Sequence, residues 1–332
     1  MIHRPLTLRV ASDFESLGIT PDVWNDLLLR GETRTIFLTR WWQRTWWESF
    51  GRGDLLLILV ERNGHPVLLA PLFCDQGMVF FVGSGGSDYL DFLGPSTDLE
   101  ALALVLAAAR DNAPGFLGFR LYHVPDTSAT GSSLRRLADE LDLSCFDEGS
   151  LPAPVMEITP DSANAVAAAN KKSLVRHERS LARDGTLAFQ HLRRAEEIHP
   201  CLPAFFQQHI DRWAVTPHPS LFRDPVQRSF YERLTLAADE ADCLRFARVD
   251  WNGQGIAFHF GFNFLGSYLW YKPSFEIGLA RRSPGEVLLR HLLLAAVAEG
   301  ARLFDFGIGD EAFKQRFATR VTQVRTWGLY PK

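Results

Sequence analysis

The sequence predicts a mixed α/β fold made of two successive copies of one plan, each a twisted, mostly antiparallel sheet flanked by helices. Three observations carry this expectation. Apolar runs break at the turn signals Asn63-Gly64 and Asn252-Gly253, and each of these dipeptides marks a two-residue hairpin. Each half continues from its antiparallel meander through a loop and an apolar helix to one more strand, in the same order. A Pro- and Gly-rich stretch, Gly149 to Pro154, reads as the linker, which sets domains at 1–152 and 153–332.

In the first half a strand at Leu6 to Val10 leads to a helix near Pro21 to Leu29. A Trp-rich helix, Thr39 to Phe50, follows, capped by the Thr39 hydroxyl and closed by Gly51. Strands at Leu55 to Glu61 and Val67 to Phe73 flank the first hairpin turn, and a third, Met78 to Val82, runs into a glycine loop at 83–87. A helix at Leu99 to Arg110, a strand at Phe116 to Tyr122, a helix at Ser132 to Asp142 and a strand at Ser144 to Phe146 complete the half. The pairs Trp41-Trp42 and Trp46-Trp47 recur at helical spacing and read as packing.

The second half opens with a basic amphipathic helix, Ala163 to Arg183, and a strand at Leu187 to His191. Helices at Ala195 to Trp213 and Pro225 to Ala238 precede a meander of strands at Leu244 to Trp251, Gly255 to Phe264 and Ser267 to Tyr271. An apolar helix over 284–299, a strand at Arg302 to Phe306, a short helix at Glu311 to Phe317 and a closing strand at Thr322 to Leu329 end the chain.

Composition narrows the function. With 46% apolar and 22% charged residues, 332 residues suffice for two cores. The net charge of −4 gives no global basic field, so wholesale nucleic-acid binding is disfavoured while local basic patches stay open. The start, Met1-Ile2-His3-Arg4-Pro5, lacks the apolar core of a signal peptide, and the longest apolar runs fall short of a membrane span, so a cytoplasmic location is expected. Cys74, Cys145, Cys201 and Cys243 have no metal or redox spacing and read as reduced thiols. No metal is expected, because Asp305, Asp310 and Glu311 lack the spacing of a calcium loop and Lys314 stands beside them.

The most informative segment is 283–317. Ser283 can cap the helix that follows, and Pro284 suits a first turn that needs no N–H there. Unused amides and the positive helix end make an anion site. Glycines 307 and 309 let backbone pass close to a ligand, and Asp310, Glu311 and Lys314 arrive just past a strand end. Lysine is scarce in this arginine-rich chain, which draws attention to Lys314 and to Lys171-Lys172.

Ser283-Pro284-Gly285 with Leu288-Leu289, then Phe304-Asp305-Phe306-Gly307, Gly309-Asp310-Glu311 and Phe313-Lys314, resemble the CelD/BcsL-type acetyltransferases of cellulose and exopolysaccharide clusters, within the GNAT superfamily. The Trp-rich helix, Ala70-Pro71-Leu72, Asp88-Tyr89 with Asp91, and the basic run from Lys171 to Arg176 fit the same family, so the likeness covers nearly the whole chain. Fem-type peptidoglycan aminoacyltransferases are related and share the late Phe-Lys pair. The resemblance implies two tandem GNAT-like domains, the first degenerate and on the acceptor side, the second carrying the donor site and the chemistry. It implies an acyl donor, acetyl-coenzyme A or another acyl-coenzyme A, and an amine acceptor on a small molecule or glycan precursor. The pyrophosphate loop familiar in GNAT proteins is absent, and Arg281-Arg282-Ser283-Pro284-Gly285 stands in its place.

On this reading Arg281, Arg282, Ser283 and Gly285 hold the donor's phosphates, and Lys314 steadies charge on the transferred carbonyl. A salt bridge to Asp310 or Glu311 is the structural alternative for that lysine. Asp305, Glu311 and His259 are the candidate bases, although for His259 a satisfied structural histidine is the favoured reading. Tyr271 and Tyr268 are candidate acids for the leaving thiolate. Asp88, Tyr89, Asp91 and Tyr271, with Lys171, Lys172 and Arg176, are candidates for the acceptor or a phosphate-bearing ligand. No nucleophile motif is present, which favours direct attack by the amine. Aminoacyl-tRNA as donor, and a non-catalytic binding or assembly role in a polysaccharide pathway, are the alternatives.

Overall fold

A computed structural model describes residues 6–332; the reading of Met1 to Pro5 as lacking a leader falls outside the described residues. The chain divides into two compact units, the first reaching to Pro152 and rejoined by Thr322–Lys332, the second Ala153–Val321.

In the first unit β1 (Leu6–Ala11), α1 (Pro21–Arg30), α2 (Arg40–Phe50), β2 (Asp54–Arg62), β3 (His65–Asp75), β4 (Met78–Phe81), α3 (Leu99–Asn112), β5 (Gly118–Pro125) and α4 (Thr130–Ala138) follow in order. β6 (Leu143–Glu157) crosses into the second unit. That unit continues with α5 (Ala163–Ala169), α6 (Lys172–Asp184), β7 (Leu187–Leu192), α7 (Ala195–Ile198), α8 (Leu202–Trp213), α9 (Pro225–Glu240), β8 (Leu244–Trp251), β9 (Gln254–Phe264), β10 (Ser267–Phe275), α10 (Pro284–Ala298), β11 (Leu303–Asp305) and α11 (Ala312–Phe317), before β12 (Arg320–Pro331).

The first unit's strands lie in the order β1-β2-β3-β4-β5-β12, with only β4 and β5 parallel. Asn63 and Gly64 both take positive φ, at 54° and 75°, which is the conformation a two-residue hairpin requires. The Thr39 hydroxyl accepts from the Trp42 amide at 3.3 Å, and Trp42 and Trp46 are buried, as expected of the Trp-rich helix.

In the second unit the order is β6-β11-β10-β9-β8-β7, antiparallel except for β10 with β11. Asn252-Gly253 turns the β8–β9 hairpin with φ of 52° and 81°. The apolar face of α10 (Val287, Leu288, Leu289, Leu292, Leu293, Ala296) packs with Tyr268, Trp270 and Phe304 of the strands into one core. Burying each large side chain contributes about 1.5–3 kcal/mol. Phe205 and Phe206 of α8 and Tyr231 of α9 pack instead with Phe258 and Phe260, the opposite face of β9.

Three expectations are corrected. The proposed linker Gly149 to Pro154 lies inside β6, a 15-residue strand. Pro152 and Pro154 recur at period two, so both missing N–H groups fall on one strand edge, and the Pro154 carbonyl still accepts from the Phe306 amide at 3.1 Å. The long basic helix breaks at Asn170-Lys171, where Lys171 takes an extended ψ of 136° and the Asn170 side-chain amide turns back to the Val166 carbonyl. The helix expected over Ala195 to Trp213 is cut by a 3-10 turn at His199–Cys201, where Pro200 and Pro203 interrupt the amide ladder.

Candidate active site

The parallel pairing of β10 with β11 covers only Ser267–Leu269 against Leu303–Asp305. β10 then runs on to Phe275 while the chain leaves β11 through the turn 306–311. This divergence leaves one edge of β10 beyond Leu269 without a β11 partner, beside that turn. Asp305 is buried and shapes the turn, its Oδ1 accepting from the Gly307 amide at 2.8 Å.

α11 then delivers Lys314, which is buried at 4% exposure. Its Nζ donates to the Ile308 carbonyl at 2.7 Å and pairs with Glu311 Oε2 at 2.8 Å. An ammonium has three hydrogens, so these two contacts leave one unassigned. Gly309 sits against the pair with φ of 133°, and a Cβ there would stand 2.2 Å from Glu311 Oε2 and 2.8 Å from Lys314 Nζ. The glycine therefore keeps the space over the ammonium open. Glu311 is half-exposed, and its charge reaches Arg212 at the end of α8.

The start of α10 is close to α11. Glu286, in its first turn, pairs with Arg316 of α11 at 3.0 Å and with His177 Nδ1 of α6 at 2.9 Å. Arg316 also contacts the Ser173 hydroxyl. Pro284 occupies the first turn as expected. Ser283, however, adopts a left-handed φ of 53° and its hydroxyl does not cap the helix. The Glu286 and Val287 amides both donate to the Ser283 carbonyl, at 3.0 and 3.3 Å, so fewer amides remain for an anion than the sequence suggested. A Cβ on Gly285 would stand 3.2 Å from the Phe275 ring. Arg282 is engaged by Asp184 at 2.8 Å and lies 5.2 Å from the Trp251 ring, whereas Arg281 is exposed.

The remaining candidates are dispersed. His259 has no exposure, and its Nε2 accepts the Tyr271 amide at 3.2 Å at the point where the β9–β10 register slips between Leu269 and Lys272. The contact sits at a strand irregularity and the imidazole is out of solvent, but its Nδ1 is buried without a hydrogen-bond partner, so the ring is only half satisfied. Tyr268 is a core residue stacked on Phe304, with its hydroxyl pKa pushed up by burial. Tyr271 is buried against Tyr231, with Lys272 Nζ 4.0 Å from its ring centroid. Lys171 Nζ donates to the Arg316 carbonyl at 2.7 Å and lies over Phe317, and burial lowers its pKa. Lys172 and Arg176 are exposed with Arg179 and Arg183 along one face of α6.

In the first unit Asp91 is buried and receives the Thr33 and Thr130 hydroxyls at 2.7 and 2.6 Å and the Phe92 amide at 2.9 Å. Burial raises its pKa against these bonds, and the carboxyl serves to pin loops rather than to face an acceptor. Asp88 is partly exposed, and Tyr89 is buried 6.0 Å from Phe37. The sequence reading overlooked Arg212, Arg316 and the steric role of Gly309. Only the last had a sequence signal, the glycine spacing before Glu311. Among the described residues no cluster of three or more His, Cys, Asp or Glu forms a metal site, and no helix is long and apolar enough to cross a membrane.

Two buried histidines make stability pH-dependent. Burial, then neighbouring positive groups, pushes His259 and His209 from the ordinary 6.5 down to about 3. The unfolded chain binds these protons more readily, so their contribution is full above about pH 6.5 and is lost as pH falls toward about 3. Each contributes a slope on the order of 1 kcal/mol per pH unit inside that window. Urea unfolding between pH 7 and pH 4 is expected to show this slope and His259→Gln a shallower one; equal slopes would contradict it.

Residues 168–315, which hold Lys314 near their end, match the family model of the acetyltransferase (GNAT) domain. The segment bearing the site is thus similar to the acetyltransferase (GNAT) domain of acyltransferases, a match that spans less than half of the chain. Among solved structures the chain is similar to FemX, with a TM-score of 0.68 and 11% identity over 98% of this chain and 97% of that one. It is also similar to L-PGS from Bacillus licheniformis (TM-score 0.55, 12% identity, 94% and 92% covered). A tandem GNAT protein from the clavulanic acid biosynthesis pathway gives a TM-score of 0.53 and 11% identity, with 99% of each chain covered. At these identities the likenesses establish the fold alone. No curated protein matches the chain in sequence.

Proposed function

We propose that this protein moves an acyl group from acyl-coenzyme A to an amine on an amino-sugar or glycan precursor, in the manner of the exopolysaccharide-cluster enzymes its motifs resemble. The observation that carries the reading is Lys314, a buried ammonium under Gly309 and just past the end of β11. The amine's lone pair attacks the thioester carbonyl, a C–N bond forms, and the electron pair moves onto oxygen. The third hydrogen of Lys314 Nζ meets that oxyanion, a contact worth roughly 3–4 kcal/mol at the transition state. Collapse expels the coenzyme A thiolate. Of the three candidate bases, Glu311 is the exposed one, while Asp305 is committed to Gly307 and His259 to Tyr271, so Glu311 takes the amine's proton. Arg281 and the Gly285 amide are the groups left for the donor's phosphates.

Coenzyme A is the donor these residues fit, since an exposed arginine at a helix start suits a pyrophosphate. A second reading, aminoacyl transfer from tRNA, is favoured by the exposed stripe Lys172, Arg176, Arg179 and Arg183, which suits a phosphate backbone. Labelled acetyl-coenzyme A and labelled aminoacyl-tRNA, each offered with a panel of amino-sugars, separate the two. Amide formation from acetyl-coenzyme A alone is expected. Transfer only from charged tRNA would replace the first reading by the second.

A further inference from the structure

α8 ends in Arg212-Trp213, on the face of β9 and β10 opposite α10. The Arg212 guanidinium lies 4.5 Å from the Phe275 ring centroid and 5.6 Å from that of Trp213, and one N–H donates to the Pro273 carbonyl at 3.1 Å. Among the described residues no carboxylate stands within 4.0 Å of it, although it is largely shielded from water. Burial is the main influence on this guanidinium and lowers its pKa, with the Glu311 charge only partly restoring it. Glu311 is in direct contact with a different cation, Lys314. The indole Nε1 of Trp213 is a buried donor without a hydrogen-bond partner. Lys272 is a further cation nearby, since both it and Arg212 bear on His209. Arg212 and Lys314 thus both draw on the carboxylate of Glu311, which is in contact only with the lysine of the two. A shielded guanidinium without a carboxylate beside it and an indole donor without an acceptor are both unfavourable, and an anion bound between them offsets that cost.

We propose that Arg212, with Lys272 and the Trp213 indole N–H beside it, recognises an oxyanion, a carboxylate or a phosphate, carried by the acyl acceptor. The proposal rests on the acyltransfer reading for the word acceptor, and its logic is spatial. The donor-side groups, Arg281 and Gly285, stand at the start of α10, whose helix packs on one face of the sheet. Arg212 projects from α8 on the other face, with Phe275 touching both Gly285 and the guanidinium. Glu311 lies within electrostatic reach of Arg212, which places the bound anion's neighbouring amine near the proposed base. A planar guanidinium forms paired hydrogen bonds with either oxyanion.

The test is calorimetric titration of the full-length protein with inorganic phosphate and with acetate, each with and without saturating coenzyme A. Wild type is expected to bind one of the two ions equally well in both conditions, and which ion it prefers names the source. Arg212→Gln is expected to weaken that binding at least tenfold, Arg212→Lys less, and Trp213→Phe, which removes only the indole N–H, by two- to fivefold. Thermal melts of each variant establish that it is folded. Unchanged affinity in Arg212→Gln, or no ion binding by folded wild type, would overturn the proposal. Loss of ion binding once coenzyme A is present would also overturn it, by giving the site to the donor. If coenzyme A does not bind but Arg212-dependent ion binding persists, the anion site stands and the coenzyme A reading falls alone.

Discussion

Replacing Lys314 with methionine is expected to lower kcat by about 10²–10³-fold while KM for the donor stays within a factor of about three. Methionine keeps the length and the apolar stem of lysine but removes the ammonium. What the fold loses is limited. The Ile308 carbonyl loses its 2.7 Å charged donor, and a hydrogen bond to a charged group contributes about 1.5–3 kcal/mol. The pair with Glu311 adds little, because that carboxylate is 54% exposed and screened by water. A melting point lower by a few degrees should therefore accompany a rate loss of two orders of magnitude or more. The comparison is steady-state kinetics against thermal melts on the same preparations. If activity falls only in proportion to the folded fraction, the lysine is a structural pin for the 306–311 turn.

Gly261→Ala is expected to destabilise the protein by about 4 kcal/mol, an effect of the size reserved for hard steric conflict. A Cβ at this position would stand 2.0 Å from His259 Cε1 and 2.4 Å from the Leu269 carbonyl oxygen. The imidazole can rotate only by giving up the Tyr271 amide. The carbonyl belongs to the backbone of β10, and Leu269 is paired with Asp305 on its other side. Relief of the clash would thus be transmitted to the strand end that leads to Lys314. In the double variant with His259→Ala only part of the loss should return, since the carbonyl conflict remains. Urea midpoints of the three proteins measure this. A Gly261→Ala protein within 1 kcal/mol of wild type would mean that the register slip is not held as described.

What could be read from the sequence was what depends on local spacing. Asn63-Gly64 and Asn252-Gly253 marked their hairpins because few other dipeptides take two successive positive φ angles. The Thr39 cap and the apolar face of α10 followed from helical periodicity. Pairing between distant segments was not legible. Gly149 to Pro154 looks like a linker until β11 is found alongside the end of β6, since composition does not reveal a partner strand. The same limit applies to the site. The order Asp305, Glu311, Lys314 was visible, but their division of labour depends on contacts that spacing cannot encode. Asp305 turns to Gly307, while His259 is sealed beneath the sheet by residues twelve positions away. Arg212 was invisible because its significance is the carboxylate it lacks.

The central claim is that the start of α10 and Lys314 serve one coenzyme A-bound acyl group. Its most direct test is the melting temperature of wild type and of an Arg281→Gln variant against rising coenzyme A. A ligand that binds only the folded chain stabilises it by about 2.7 kcal/mol at a hundredfold excess over Kd. The account predicts a concentration-dependent rise for wild type, a weaker one for the variant, and an undiminished one for Lys314→Met. A wild-type melting point that does not move at millimolar coenzyme A would contradict it.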